Sequence, residues 1–530
     1  MVTSGVISMG VVSLGVPIGS PEYMKAHASK RLHPSLELLK LLPLVGDFQT
    51  AMLVLRKSIV PRARFLASTM PRAAVIDAMR EWDTQMLLTL QQLFKSDSVH
   101  PRCFLCRKGG LGIARMCDEL SVDRVNGWDR CRVILNQHMR SQVGAAHLLL
   151  SEESSHPLHR EVMAAWHSLP EEVKTGVNVV SPAVAATLPN DKAPASRLAL
   201  SESMAAYRFR SICAGLDRRG KSLLLLSSMA GANEWLNTFP TFPNAQLSDG
   251  RCRSAYEIWL GAPQSILCGP AATDLSGRTS LDAEIAEDEL KASDTAGRDI
   301  LNASSAARIG THDCIKGVVC DLFLEAGLRT YEEVSGFYGD RPDHSGGAGR
   351  RLDIVGIHLS TGRRLSVDVV RVNGTTDGLL ESPSALERPD HGLVLAEQRK
   401  TKTYDTEGDR PEGYDFVPFA IGTQNELGTG AVKLLGYLAA AKVTRMGGTG
   451  PPCDKAVKRE RRYMCQRIGL ACMLGQTEQI LAKVIGSPHA ALAEAKRHVH
   501  SIHASFARSS RQPCTCGASS AGFCVCHSHG

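Results

Sequence analysis

RRLDIVGIHLSTGRRLSVDVVRV, residues 350–372, holds two apolar runs, LDIVGIHL and LSVDVVRV, on either side of a Ser-Thr-Gly-Arg turn. Val/Ile-rich runs bounded by a Gly-containing turn predict two β-strands joined as a hairpin. Each run carries an aspartate in its middle, Asp353 and Asp368. If Ser360, Thr361, Gly362 and Arg363 form a four-residue loop, the two are diagonal cross-strand neighbours on one face, with Cα atoms roughly 7–8 Å apart or less. A three-residue loop puts them on opposite faces. Like charges that close on an apolar sheet are destabilising unless something positive lies between them, and a hard divalent cation is the simplest occupant. The alternative has one aspartate facing solvent on an edge strand and the other capping the turn. Both lie inside Ile/Val/Leu runs, which favours the metal-site reading.

Outward from the hairpin, THDCIKGVVCDLFLEAGL (311–328) has the composition of a helix and is followed by TYEEV (330–334). Residues 373–396 are rich in Gly, Ser, Pro and Asp and predict an exposed loop. AEQRKTKTYD (396–405) predicts a helix, DFVPFAIGT (415–423) a strand, and LGTGAVKLLGYLAAAKV (427–443) an amphipathic helix, with GGTGPP (447–452) closing the domain. Hairpin, helix, strand and helix in this order make an α/β sheet covered by helices.

This order resembles the PD-(D/E)XK nuclease pattern of the restriction-like endonuclease at the C-terminal end of some non-LTR retrotransposon polyproteins. The resemblance implies that Asp353 and Asp368 bind Mg²⁺ (or Mn²⁺), that His312 opens the first helix, and that Glu332 or Glu333 is a third carboxylate; Glu333 is taken as the candidate. Val370 stands where the pattern has lysine. A lysine from the following helix is then implied. Lys400 and Tyr404 are four residues apart and share a helical face, whereas Lys402 points roughly the opposite way. Lys400 is therefore assigned to the site with Tyr404 beside it, and Lys402 to solvent or a phosphate contact.

Residues 10–70 carry apolar residues at helical spacing interrupted at Pro34, Pro43 and Pro61, which predicts a loop followed by short amphipathic helices. LGVPIGS (14–20) and the helical run after it resemble the region beyond the polymerase palm in retrotransposon reverse transcriptases, where the thumb begins. The likeness continues through Pro71-Arg72, Trp82-Asp83, Gly109-Gly110-Leu111-Gly112 and AGANEWL (230–236), and covers roughly residues 10 to 440 with gaps. It implies the C-terminal portion of such a polyprotein, with the palm aspartates upstream of Met1 and no polymerase active site in this chain. Gly109–Gly112 lacks the following Gly-Lys-Ser/Thr of a phosphate loop. Cys103 and Cys106 have no second pair within zinc-finger distance and read as buried thiols, and Cys268 stands alone where relatives carry a zinc knuckle.

With 530 residues, the chain is long enough for several domains. No apolar run approaches the roughly 18 residues of a membrane span, and no basic residue precedes Lys25, which argues against a secretory signal. Sixteen scattered cysteines in a long chain read as reduced thiols of an intracellular protein. The net charge of +7 is uneven: residues 453–511 hold 11 Lys/Arg against 4 Asp/Glu, while 274–300 hold 8 Asp/Glu against 3 Lys/Arg. A basic end suits contact with nucleic-acid backbone. In the last residues Cys514, Cys516, Cys524, Cys526, His527 and His529 crowd together, a tract able to bind Zn²⁺ but Gly/Ser-rich enough to be disordered.

The fold class expected is α+β and multidomain. It comprises a reverse-transcriptase thumb-like helical region (1–150), a helical connector with degenerate zinc knuckle and acidic linker (151–300), an α/β PD-(D/E)XK nuclease-like domain (301–446), a basic helical tail (453–511) and a Cys/His-rich tail (512–530). The function expected is metal-dependent nicking of DNA, with target DNA and retroelement RNA as partners, no membrane, and a nuclear location. The rival is a nucleic-acid-binding or structural remnant with a decayed site, for which Val370 and the lost knuckle speak.

Overall fold

The computed structural model describes residues 9–13, 16–105, 109–138, 157–182, 193–240, 246–262, 264, 305–334, 351–382, 384–404, 413–447 and 452–485. It is mixed α/β, mostly helical, with one four-stranded sheet. Two compact units share the chain. The first takes residues 1–233, 248–271 and 374–389, and the second takes 234–247, 272–373 and 390–530.

The first unit opens with a hairpin of β1 (Gly10–Ser13) and β2 (Val16–Gly19). Its helices are α1 (Pro21–Leu41), α2 (Phe48–Val54), α3 (Val60–Thr69), α4 (Arg72–Phe94), α5 (Met116–His138), α6 (Pro157–His167), α7 (Ala193–Ala214), α8 (Arg218–Ser227) and α9 (Asp249–Leu260). Ser20 and Asp47 cap α1 and α2 by accepting from the amides of Tyr23 and Thr50 at 3.2 Å, satisfying donors that a helix start leaves open. Two of the three expected proline breaks are absent. Pro34 lies inside α1, where burial of Leu32, Leu36 and Leu39 along one stripe outweighs its missing hydrogen bond. Pro61 sits at the start of α3 after a π-helical turn, Leu55–Ile59, which joins α2 to α3. Only Pro43 marks a break, within the 3₁₀ turn Leu42–Leu44.

Position 150 is no boundary of packing: Val122 and Val125 of α5 share one core with Ala165, Trp166, Leu169, Val173, Leu200 and Met204. The Gly109–Gly112 stretch is structural. Arg102, 1% exposed, donates from Nε to the Gly109 carbonyl at 3.1 Å and from Nη1 to Leu260 at 3.0 Å, also reaches Ser227 Oγ, and lies 5.1 Å over the Trp259 ring. Cys103 is buried as expected, and burial pushes its thiol up to about 12. Cys106, Cys268, the acidic linker and the Cys/His tail fall outside the described residues.

The second unit contains α10 (Ser305–Glu325), whose Ile315, Val318, Val319, Leu322 and Phe323 are buried at helical spacing. Its sheet runs β3 (Leu328–Val334), β4 (Leu352–His358), β5 (Arg364–Val372), β6 (Tyr414–Gly422), in that order. The first three are antiparallel, and β5 pairs parallel with β6 from Arg364↔Tyr414 to Val372↔Gly422. Parallel pairing requires a crossover, which contains α11 (His391–Tyr404). Two short helical turns, Asp377–Glu381 and Ser384–Glu387, and the start of α11 occupy much of the expected exposed loop 373–396.

The hairpin loop is Leu359–Gly362, one residue earlier than the Ser360–Arg363 expected, with the His358 amide donating to the Arg363 carbonyl at 2.8 Å. Gly362 takes φ 68°, the left-handed conformation that turns the chain. Gly356 lets the Phe323 ring approach, where a Cβ would meet it at 2.4 Å.

Two helices complete the unit, α12 (Thr429–Gly447) and α13 (Asp454–Ile485). Over this part the basic stretch is not a tail. α13 buries Met464, Ile468, Met473 and Leu474 and is pinned to α10 by Arg467, which pairs with Asp321 at 3.2 Å and also with Glu325. Gln479 donates to Thr311 Oγ1 at 2.8 Å. The charged residues predicted a basic helical tail; the apolar stripe between them decides the packing.

Candidate functional site

The shifted loop changes the relation of the two aspartates. The β4–β5 ladder runs from Ile354↔Val367 to Ile357↔Arg364. One step further, this register sets Asp353 directly across from Asp368, a closer placement than the diagonal one expected. There the backbone pairing gives way to a side chain, as the Val369 amide donates to Asp353 Oδ2 at 2.7 Å. On β3, Glu332↔Ile354 and Val334↔Leu352 flank Glu333, which faces the Asp353 position with φ 56°. Glu333, Asp353 and Asp368 thus form one row of carboxylates across three strands.

Each meets a cation of the protein. His312 Nε2 is 3.1 Å from Asp353 Oδ2, with Nδ1 3.4 Å from Asp313 Oδ1. Lys400 Nζ is 2.6 Å from Asp368 Oδ2. Glu333 pairs with both Lys316 and Arg351. His312 and Lys316 stand four residues apart on α10, so one face of that helix supplies two of the cations.

The neighbours set the ionisation. Burial pushes the Asp368 carboxyl up and the charge of Asp353 adds to this; Lys400 opposes both without overcoming them. Burial pushes Asp353 the same way, but His312, the Val369 N–H and Lys400 together hold it below the usual carboxylate range. Burial disfavours charge on His312 too, and the carboxylates of Asp313 and Asp353 outweigh it, holding the imidazole at about 9. At neutral pH, Asp353 is an anion beside an imidazolium.

The structure therefore brings His312, Asp353, Asp368 and Lys400 together. Tyr404 adjoins them: its ring lies 5.8 Å from Lys400 Nζ, and its hydroxyl donates to the Arg351 carbonyl at 3.1 Å, so the phenol is turned toward β4. Glu333 lies in the row but is engaged by Lys316 and Arg351. Val370 follows Asp368 by two residues in β5, and Lys400 reaches Asp368 from the crossover helix. Sequence reasoning missed Lys316, although its four-residue spacing from His312 was a usable signal.

Among the described residues no three His, Cys, Asp or Glu side chains are grouped to hold a metal ion. A closed cage of the structural zinc type is thus not built there. Two hard carboxylates on facing strands are nevertheless the donor set that Mg²⁺ takes, since it keeps waters and substrate oxygens for its remaining positions. The residues fit such an ion, which Asp353 and Asp368 would hold. No described helix is long and apolar enough to cross a membrane. Compared with models of known protein families the chain matches none, and comparison with curated proteins finds no similar one.

Proposed function

We propose that this chain is a metal-dependent DNA endonuclease, derived from the C-terminal part of a non-LTR retrotransposon reverse transcriptase, that nicks DNA by phosphodiester hydrolysis. The observation carrying this reading is the pair Asp353 and Asp368 facing each other across β4 and β5, with Lys400 at 2.6 Å from Asp368. A Mg²⁺ or Mn²⁺ ion bound there would polarise the phosphate and lower the pKa of an attacking water. Lys400, delivered from α11 to where Val370 offers no donor, is placed to steady the charge that develops on the phosphate. His312 orients Asp353. Target DNA and retroelement RNA are the partners this reading implies, and the nucleus its place of action.

A remnant that binds nucleic acid without cutting it is the second reading. Its support is that Glu333, Asp353 and Asp368 each already have a protein cation, so the row is balanced without a metal. Nicking of supercoiled plasmid in Mn²⁺ decides between them. The nuclease reading expects wild type to nick and Asp368→Asn to be inactive. Lys400→Ala should lose at least tenfold, about 1.4 kcal/mol of barrier. No nicking by wild type favours the remnant.

A further inference from the structure

The first unit holds a cleft of about 1120 Å³ among α3, α5, α7 and the end of α8. Small residues keep it open: Ser68, Ser201, Ala205 and Ser228 line it from three of these elements. Its acids are engaged. On α5, Glu119 pairs with Arg64 at 3.0 Å and also with Arg208, and Asp123 takes Arg64 at 3.3 Å. Burial pushes the Asp123 carboxyl up to about 6, which weakens it as an anion. Its cations are less well matched. Arg208 keeps one guanidinium nitrogen, Nη2, buried with no hydrogen-bond partner. Arg130, whose charge Asp123 feels, and Arg210 line the cleft too. Both are exposed, and among the described residues neither is held in an ion pair. Two phenyl rings, Phe65 of α3 and Phe209 of α7, complete the lining, and Phe65 is 43% exposed.

We propose that this cleft binds an unpaired strand of nucleic acid, with Arg130, Arg208 and Arg210 on its phosphates and a base stacked on Phe65. A guanidinium presents its N–H donors in a fixed fork that matches phosphate oxygens, and it stays charged at any working pH. Cations beside flat aromatic faces hold unpaired strands without sequence preference. The opening is larger than one small molecule fills and admits a few unstacked nucleotides, whereas a duplex, its bases turned inward, offers no free face to the rings. Choosing a nucleic acid over an acidic peptide rests on the retroelement reading, which implies RNA and DNA as partners. The binding itself needs neither Asp353, Asp368 nor a metal.

The test is fluorescence anisotropy of labelled oligouridylate and oligothymidylate with the full chain in EDTA, across a range of KCl concentrations. Arg130→Glu/Arg210→Glu should bind the tighter of the two at least tenfold more weakly than the charge-matched Lys30→Glu/Lys95→Glu, whose lysines are exposed on α1 and just beyond α4. Losing two phosphate contacts should also flatten the slope of log affinity against log salt by about 1.4. Phe65→Ala should weaken binding about fivefold or more, the lower end of base stacking on an aromatic ring. If the Glu pair does not fold by circular dichroism, Arg130→Gln/Arg210→Gln takes its place. The proposal is overturned by binding equal to the control, by Phe65→Ala binding as wild type does, by oligoglutamate competing as well as unlabelled strand, or by tighter binding of a duplex of the same length. EDTA removes any cutting, so the two readings fail separately. Strand binding that depends on these arginines, without nicking in Mn²⁺, would sink the nuclease reading alone, and nicking by a chain whose strand binding ignores them would sink this one alone.

Discussion

Lys400→Ala isolates the contact on which the candidate site depends. Asp368 is 3% exposed and has Asp353 across from it, so the ammonium at 2.6 Å is its main compensation. Breaking a buried ion pair by removing one partner costs about 3–5 kcal/mol. Two features reduce that figure here. The Lys400 side chain is 30% exposed, so solvent screens part of the attraction, and a stranded carboxyl escapes by taking a proton, which caps the loss near 1.4 kcal/mol per pH unit. The resulting cost is about 2–3 kcal/mol at pH 7.5. An acid whose folded pKa lies above its unfolded value loses stability as pH rises, and Asp368 already behaves so. Without Lys400 its carboxyl moves higher still, so the deficit should shrink as pH falls toward 4.5 and the carboxyl takes up a proton in the folded protein. Calorimetry, which separates the transitions of two units, should show the one containing the sheet melting roughly 4–10 °C lower at pH 7.5, with a smaller shift at pH 4.5. Adding Asp368→Asn to Lys400→Ala should recover about 2 kcal/mol. A deficit equal at both pH values, or a double variant no more stable than Lys400→Ala, would refute the pairing.

Glu426 is 0% exposed with burial pushing its carboxyl up to about 8, and the Gln424 amide donates to it at 2.8 Å. The unfolded chain gives up this proton near 4.5 and the folded one keeps it, so wild type should lose stability relative to Glu426→Gln between pH 5 and 8, measured by urea titration at each pH. Arg102→Met should cost about 3–5 kcal/mol, because it orphans the buried carbonyls of Gly109 and Leu260. Tryptophan fluorescence reads this one, since Trp82, Trp128, Trp166 and Trp259 all belong to the first unit; an unchanged urea midpoint would show the buried guanidinium to be dispensable.

Three strands of the sheet, β4, β5 and β6, were legible because they are apolar runs between turn residues, whereas β3 is mostly polar and was not read as a strand; the direction of Lys400 followed from helical geometry, which places residues 400 and 404 together whatever the surroundings. The loop position was not, since Leu359 can end a strand or open a turn with equal ease and only the paired backbone decides. A one-residue slide of the loop moved Asp368 from diagonal to opposite. Helix α13 was misjudged because its excess of basic residues hid an apolar stripe, Met464, Ile468 and Leu474 among it, that matters only once α10 offers a surface. Lys316 escaped notice for a related reason: one lysine in an apolar helix reads as a snorkelling side chain until a carboxylate from another strand lies within reach of it.

The pairing of α10 with α13 also sets a timetable for synthesis. α10 ends at Glu325, while Arg467, which grips it, emerges some 140 residues later. At about 5–20 residues per second a ribosome needs roughly 7–28 s to bridge that interval. Throughout it, the buried stripe of α10 and the free edge of a growing sheet have no closing helix, so the nascent chain is exposed to misassembly until the final turns of α13 clear the exit tunnel. Slowing translation between those two helices should therefore lower the soluble yield of this protein, and a chain cut before Asp454 should aggregate where a cut at about residue 486 does not.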